Sequence, residues 1–237
     1  MIYEIILYPL FLLTVVFSIY AQIKVSSTYR KYSRFYTAAG RNATDIAKMM
    51  LKDAGIYDVA IGRVAGNLSD HFDPRSNTLA LSDTTYASTS AAAIGVAAHE
   101  AGHAIQHAEG YFPIKLRSAL VPITNFASRA SWLIIMLGVL ITAFSYSSDF
   151  GYYILLLGVG LFGVTTLFQL VTLPCEFNAS RRALTALRAS GMYSRDELHA
   201  AKQVLSAAAL TYVAATFASA VQLLRLVLLF ARRSDRR

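Results

Sequence analysis

The sequence predicts a mainly α (α+β) integral membrane protein, with an N-terminal transmembrane anchor, a transmembrane helical hairpin and a helical domain carrying a short β-hairpin. Three observations predict it. Apolar residues make up 55% of the 237 residues and charged residues only 15%, against about 25% charged in soluble domains. Mean hydropathy is +0.45, so a bilayer must cover much of the surface. Apolar runs of near-spanning length alternate with polar stretches, dividing the chain into an anchor (1–23), a polar segment (24–130), a hairpin (131–173) and a second segment (174–237).

The first apolar run, Ile5 to Ile23, is long enough to cross about 30 Å of hydrocarbon. Glu4 precedes it, and Ser26, Ser27, Tyr29 and Arg30 follow, which is not the pattern of a cleaved signal. Asn42–Ala54 reads as an amphipathic helix with Ile46, Met49, Met50 and Leu51 as its apolar stripe and Gly55 as its stop. Gly62–Ser69 and Asn77–Ser82 read as two short strands joined by the turn residues Asp73-Pro74-Arg75-Ser76-Asn77. The alanine-rich stretch Ala91–Glu109 reads as a helix. The apolar runs Trp132–Tyr146 and Tyr152–Leu173 form the hairpin, the first helix beginning near Ser128. A new helix is expected after Pro174, over Glu176–Ala189. A last one is expected from Ser194, apolar from Leu205 to Phe230 but carrying Gln222 and Arg225.

The net charge of +8 does not point to nucleic acid, because the cations flank the apolar runs instead of forming a stripe interleaved with aromatics. Lys24, Arg30, Lys31 and Arg34 follow the first run; Lys115, Arg117 and Arg129 precede the hairpin; Arg181, Arg182 and Arg188 follow it. The positive-inside bias puts these stretches in the cytoplasm and the N-terminus outside. A fully crossing last helix would then leave Arg232, Arg233, Arg236 and Arg237 outside, against that bias. Cys175 is the only cysteine, so no intrachain disulfide forms and any metal must be held by nitrogen and oxygen.

The chemistry lies in His99-Glu100-Ala101-Gly102-His103. Positions i and i+4 of a helix share a face, so both imidazoles can reach one Zn²⁺ at about 2.0–2.1 Å. Glu100 can then take a proton from the metal's water and pass it to a leaving amine. The surroundings, Ala97, Ala98, Ala101, Ala104 and Ile105, give these polar groups no partners, and a metal would. Gly102 costs the helix up to about 1 kcal/mol relative to alanine, which suggests that something packs closely there. A catalytic site needs a third protein ligand and an open position. Glu109 stands where the metzincins place a histidine, but Gln106 replaces their glycine. Glu176 is the better candidate, because the hairpin returns the chain to the side it left; an ordinary helix-N-terminal acid is the competing reading.

The chain resembles the YugP-type neutral zinc metallopeptidases of bacterial membranes, which are related to the gluzincins. The resemblance rests on His99 through His107, on the Asp73-Pro74-Arg75 turn, and on Pro174, Glu176, Phe177, Ala179, Ser180, Arg182 and Ala183, and it spans nearly the whole chain. It implies a helical, zincin-like catalytic domain in two parts (24–130 and 174–237), one Zn²⁺ per chain, His99, His103 and Glu176 as ligands, and Glu100 as general base. Two positions depart from the expected pattern. Asn178 stands where an aspartate is expected, and Ser180 where the related HtpX-like proteases place an acid, so a contact to a zinc-bound histidine is expected to be weaker or to come from elsewhere.

His107, Arg182 and Tyr212 are further candidates for supporting a ligand, binding substrate or stabilising an oxyanion, with Arg181 and His199 behind them. His71 reads as structural, and Thr78–Ser82 as an edge that an extended substrate could join. The expected activity is zinc-dependent peptide-bond hydrolysis at the cytoplasmic face of a bacterial inner or plasma membrane. Its partners are the lipid bilayer and protein or peptide substrates, including membrane proteins, with no nucleic acid. A site-2-type intramembrane protease would need its motif inside a transmembrane run and an aspartate ligand in a later one, and an inactive scaffold would commonly have lost Glu100.

Overall fold

The structure, a computed structural model, describes residues 2–144 and 149–234. Ser147 and Ser148 at the expected hairpin tip, and the end of the Trp132–Tyr146 run, lie outside the described residues. The elements in order are α1 (Ile2–Tyr32), α2 (Ala43–Asp53), β1 (Ala60–Val64), β2 (His71–Asp73), β3 (Thr78–Ser82), α3 (Ala91–Ala108), α4 (Phe112–Phe144), α5 (Asp149–Ala189) and α6 (Arg195–Ser234). Among the described residues, four helices contain stretches long and apolar enough to cross a membrane, in α1, α4, α5 and α6. The last helix therefore joins the anchor and the hairpin as a fourth candidate span.

The chain separates into two compact units that share these long helices. One comprises residues 1–19, 116–172 and 213–237, the other 20–115 and 173–212. In the first, Ile135, Leu155, Val159 and Leu226 form a small interior, while Leu12, Leu137, Leu156 and Leu157 are exposed. That inversion suits helices whose outer faces meet hydrocarbon. α4 and α5 pack antiparallel through small residues. An added Cβ at Gly138 would stand 2.7 Å from Leu155, at Gly158 2.6 Å from Ile135, and at Gly151 2.5 Å from Thr142. On α6, Arg225 lies over the Tyr8 and Phe11 rings at 5.1 and 5.2 Å, which shelters an otherwise costly charge.

The second unit has a conventional core. Asn42 caps α2 in a reciprocal capping box with Asp45, and Ile46, Met50 and Leu51 bury the expected stripe against Ile94, Ala97 and Ala98 of α3. Gly55 ends the helix at φ +72°, a conformation glycine adopts without a Cβ clash. In the predicted turn, the Asp73 carboxylate accepts from the Arg75 amide at 2.9 Å and the Ser76 hydroxyl at 2.9 Å. These bonds hold its pKa below the ordinary value.

Three expectations need correction. The sheet order is β1-β3-β2, with β1 parallel and β2 antiparallel to β3, so the hairpin is β2–β3 and Thr78–Ser82 is the central strand, not an edge. Its burial explains this, since Leu79 and Leu81 lie in the core. α4 starts at Phe112, well before Ser128, because the polar residues between them still lie on a helix with Ile114 and Ala127 buried. Finally, α5 runs unbroken through Pro174. Proline there removes the bond to the Leu170 carbonyl and crowds that carbonyl with its ring, yet the helix continues, with Thr172, Cys175 and Glu176 buried on either side.

Candidate metal centre

Each half of the site is set by a helix. Ser90 caps α3, its hydroxyl accepting from the Ala93 amide at 3.2 Å. Alanines on one face then bury α3 in the core while His99, Glu100 and His103 point toward α5. The two helices nearly touch at Gly102, where an added Cβ would stand 2.8 Å from the Ala179 carbonyl oxygen and 3.2 Å from its Cα. This is the close packing that the glycine suggested, and it brings Glu176, three residues before Ala179, beside the histidines.

The structure brings together His99, His103 and Glu176, their ligand-type atoms all within 4.8 Å of one another. His99 Nε2 stands 3.1 Å and His103 Nε2 3.6 Å from the same carboxylate oxygen of Glu176. Two ligands about 2.1 Å from a tetrahedral ion are about 3.4 Å apart, so the separations suit one zinc. The donor set of two nitrogens and one oxygen suits it too, and the Glu176 side chain, 2% exposed, is an acid that needs such a partner.

The outer nitrogens of both rings are also held. Ser180 Oγ lies 3.1 Å from His99 Nδ1, so a neutral hydroxyl makes the contact at the position where an acid is expected. His103 Nδ1 lies 3.0 Å from Gln106 Oε1. The Gln106 amide donates to the Cys175 carbonyl at 2.8 Å and to Asn178 Oδ1 at 2.9 Å. Asn178 Oδ1 accepts again from Arg182 Nε at 2.7 Å, and Arg182 forms a two-pronged pair with Glu109 at 2.9 and 2.6 Å. Glu109 is therefore engaged away from the three-residue cluster. Its hydrogen bonds from Arg182 hold its carboxyl below the usual range.

A cavity of about 230 Å³ opens beside His99, Glu100, Glu176 and Ser180, with Tyr212 and Leu205 of α6 on its wall. The other candidates lie elsewhere. His107 is exposed, its ring 5.8 Å from that of Phe72. His71 is exposed and contacts Ser69, and His199 lines a small surface recess with Arg188 and Lys202. Arg181 and Arg182 line a larger groove of about 830 Å³ with Met49, Met50 and Ile105, which contains none of His99, Glu100, His103 or Glu176. The sequence reading missed Gln106 as a partner of His103; its one local signal was the i, i+3 spacing from that histidine.

The family described as "Putative neutral zinc metallopeptidase" matches residues 7–231. A relative from Bacillus subtilis (strain 168), "Putative membrane protease YugP", is 41% identical over 218 residues, covering 92% of this chain and 93% of the relative. No solved structure matches.

Proposed function

The chain belongs to this family of membrane zinc metallopeptidases, and from that premise we propose that it is an endopeptidase in which His99, His103 and Glu176 hold the zinc and Glu100 is the general base. The observation that carries the reading is the gathering of these three side chains, from two helices far apart in sequence, with His99 and Glu176 on the wall of the cavity that Glu100 also lines. Zinc bound there is a Lewis acid that lowers the pKa of water toward about 7 and polarises a carbonyl. Glu100 accepts the proton of the attacking water and delivers it to the leaving amine. The Tyr212 hydroxyl donates to the developing oxyanion. Leu68, Val96, Leu205 and Ala208 on the cavity wall receive an apolar side chain of the substrate, and the edge strand β2 offers its backbone to an extended segment.

The basic stretches after α1, before the hairpin and after it support a site at the cytoplasmic face, under the positive-inside bias. A membrane-protein substrate with an extended segment near that face is the class that fits.

Elemental analysis of detergent-purified wild type, Glu176→Ala, Glu109→Ala and Glu100→Gln tests the assignment. About one zinc per wild-type chain is expected, absent from the Glu176 variant and kept in the Glu109 and Glu100 variants. The Glu100 variant should lose about 10²–10⁴-fold in cleavage rate. Zinc surviving without Glu176 would refute the ligand set.

A further inference from the structure

We propose that Gln106 is a positioning residue that engages His103 Nδ1, so that the ring is held with Nε2 on the side of Glu176 and reserved for the metal. The inference rests on the ligand set proposed above.

Gln106 is fully buried, at 0% exposure. One end of its amide faces the Cys175 main-chain carbonyl at 2.8 Å and Asn178 Oδ1 at 2.9 Å. A backbone carbonyl can only accept, so that end must be the NH₂ group. Asn178 is oriented by the same logic. Its atom facing Gln106 also faces Arg182 Nε at 2.7 Å, and a guanidinium can only donate, so the atom must be oxygen. Arg182 is in turn held by the two prongs to Glu109.

The chain of bonds thus has a donor-only group at one end and an acceptor-only group beside its middle, and neither amide can flip without losing two bonds. The remaining end of Gln106 is then its carbonyl oxygen, 3.0 Å from His103 Nδ1. That ring nitrogen is thus occupied by Gln106, which makes Nε2, 3.6 Å from Glu176 Oε2, the nitrogen available to a metal. His99 is held differently. Its Nδ1 partner is the Ser180 hydroxyl at 3.1 Å, which donates or accepts equally well and imposes no tautomer. The centre therefore has one preset imidazole and one adaptable one.

The test is zinc affinity of the full chain in detergent, stripped of metal and titrated against a competing chelator. Gln106→Met keeps the volume and removes the acceptor; Gln106→Glu keeps an acceptor toward His103 at the cost of a buried charge. A positioning role predicts that Met weakens zinc about 10–100-fold and that Glu binds more tightly than Met. A packing role predicts the opposite order, so wild-type affinity in the Met variant, or Glu no tighter than Met, would overturn the proposal. Should neither variant fold, Asn178→Leu and Asn178→Asp are read instead. Leu removes one of the two acceptors that orient Gln106 and should weaken zinc several-fold, whereas Asp retains it and should not; equal affinities overturn the proposal. His103→Ala alongside separates the two levels. Zinc kept without His103 refutes the ligand set itself, whereas zinc lost there with Gln106→Met at wild-type affinity refutes only the role of Gln106.

Discussion

Helix α5 meets a partner helix at a glycine-lined seam in each of its two halves, and the two seams are built for different ends. In its first half, Gly138 and Gly158 admit both the side chains and the backbone amides of Leu155 and Ile135, so the residues that meet there are apolar. In its second half, Gly102 of α3 admits the backbone at Ala179 itself, and little side chain separates the helices. What the second seam gives up in apolar packing it returns as position: it sets how far Glu176 stands from two histidines on another helix. Close approach alone does not mark a functional seam. The mark is that the residues flanking it, His99, His103 and Glu176, are of metal-ligating types and lie together.

Substitutions should separate the seams. Leu155→Ala, at a residue with 0% exposure, should destabilise the protein by about 2–5 kcal/mol in detergent unfolding and leave zinc affinity at the wild-type value. Its exposed neighbour in Leu156→Ala should cost far less. Gly102→Ala and Gly158→Ala each force a contact closer than van der Waals distance and should each cost about 1–3 kcal/mol. They part company in chelator competition. Gly102→Ala should weaken zinc roughly tenfold or more, because pushing α5 away displaces Glu176 from the two histidines and disturbed support of a metal ligand costs about 10–100-fold in affinity, while Gly158→Ala should not change it. Equal zinc affinities in the two would show that the α3–α5 spacing is not what sets the site.

The smallest effect lies at the outer end of the hydrogen-bond chain. The Glu109 carboxyl is held below its ordinary value of 4.5 by the hydrogen bonds from Arg182. A depressed carboxylate adds stability above its unfolded pKa and loses it as pH falls through the folded value. Glu109→Gln should therefore cost well under about 1 kcal/mol at pH 7, since the pair is largely exposed. It should be indistinguishable from wild type in melts well below pH 4.5.

Much of this was legible in local sequence. The capped α2, the Asp73–Asn77 turn and the His99–His103 spacing each depend on residues within one or two turns of one another, where propensity and periodicity operate directly. Hydropathy pointed to the anchor and hairpin, and the glycine at 102 signalled a close neighbour. What escaped the reading depends on distant pairing. The parallel match of β1 to β3 skips over β2, so Thr78–Ser82 looked like an edge. Pro174 looked like a boundary because its effect on a helix is set by tertiary packing. Gln106 gained its meaning only from Cys175 and Asn178, which approach it across the whole hairpin.

That separation along the chain bears on biosynthesis. The two histidines leave the ribosome long before Glu176, with both hairpin helices made in between. On the proposed ligand set, a nascent chain that has exposed its histidines but not yet completed the hairpin has only two of three metal ligands. On that ligand set, a complete metal site and a complete transmembrane hairpin would arise together, because the third ligand follows the hairpin in the chain.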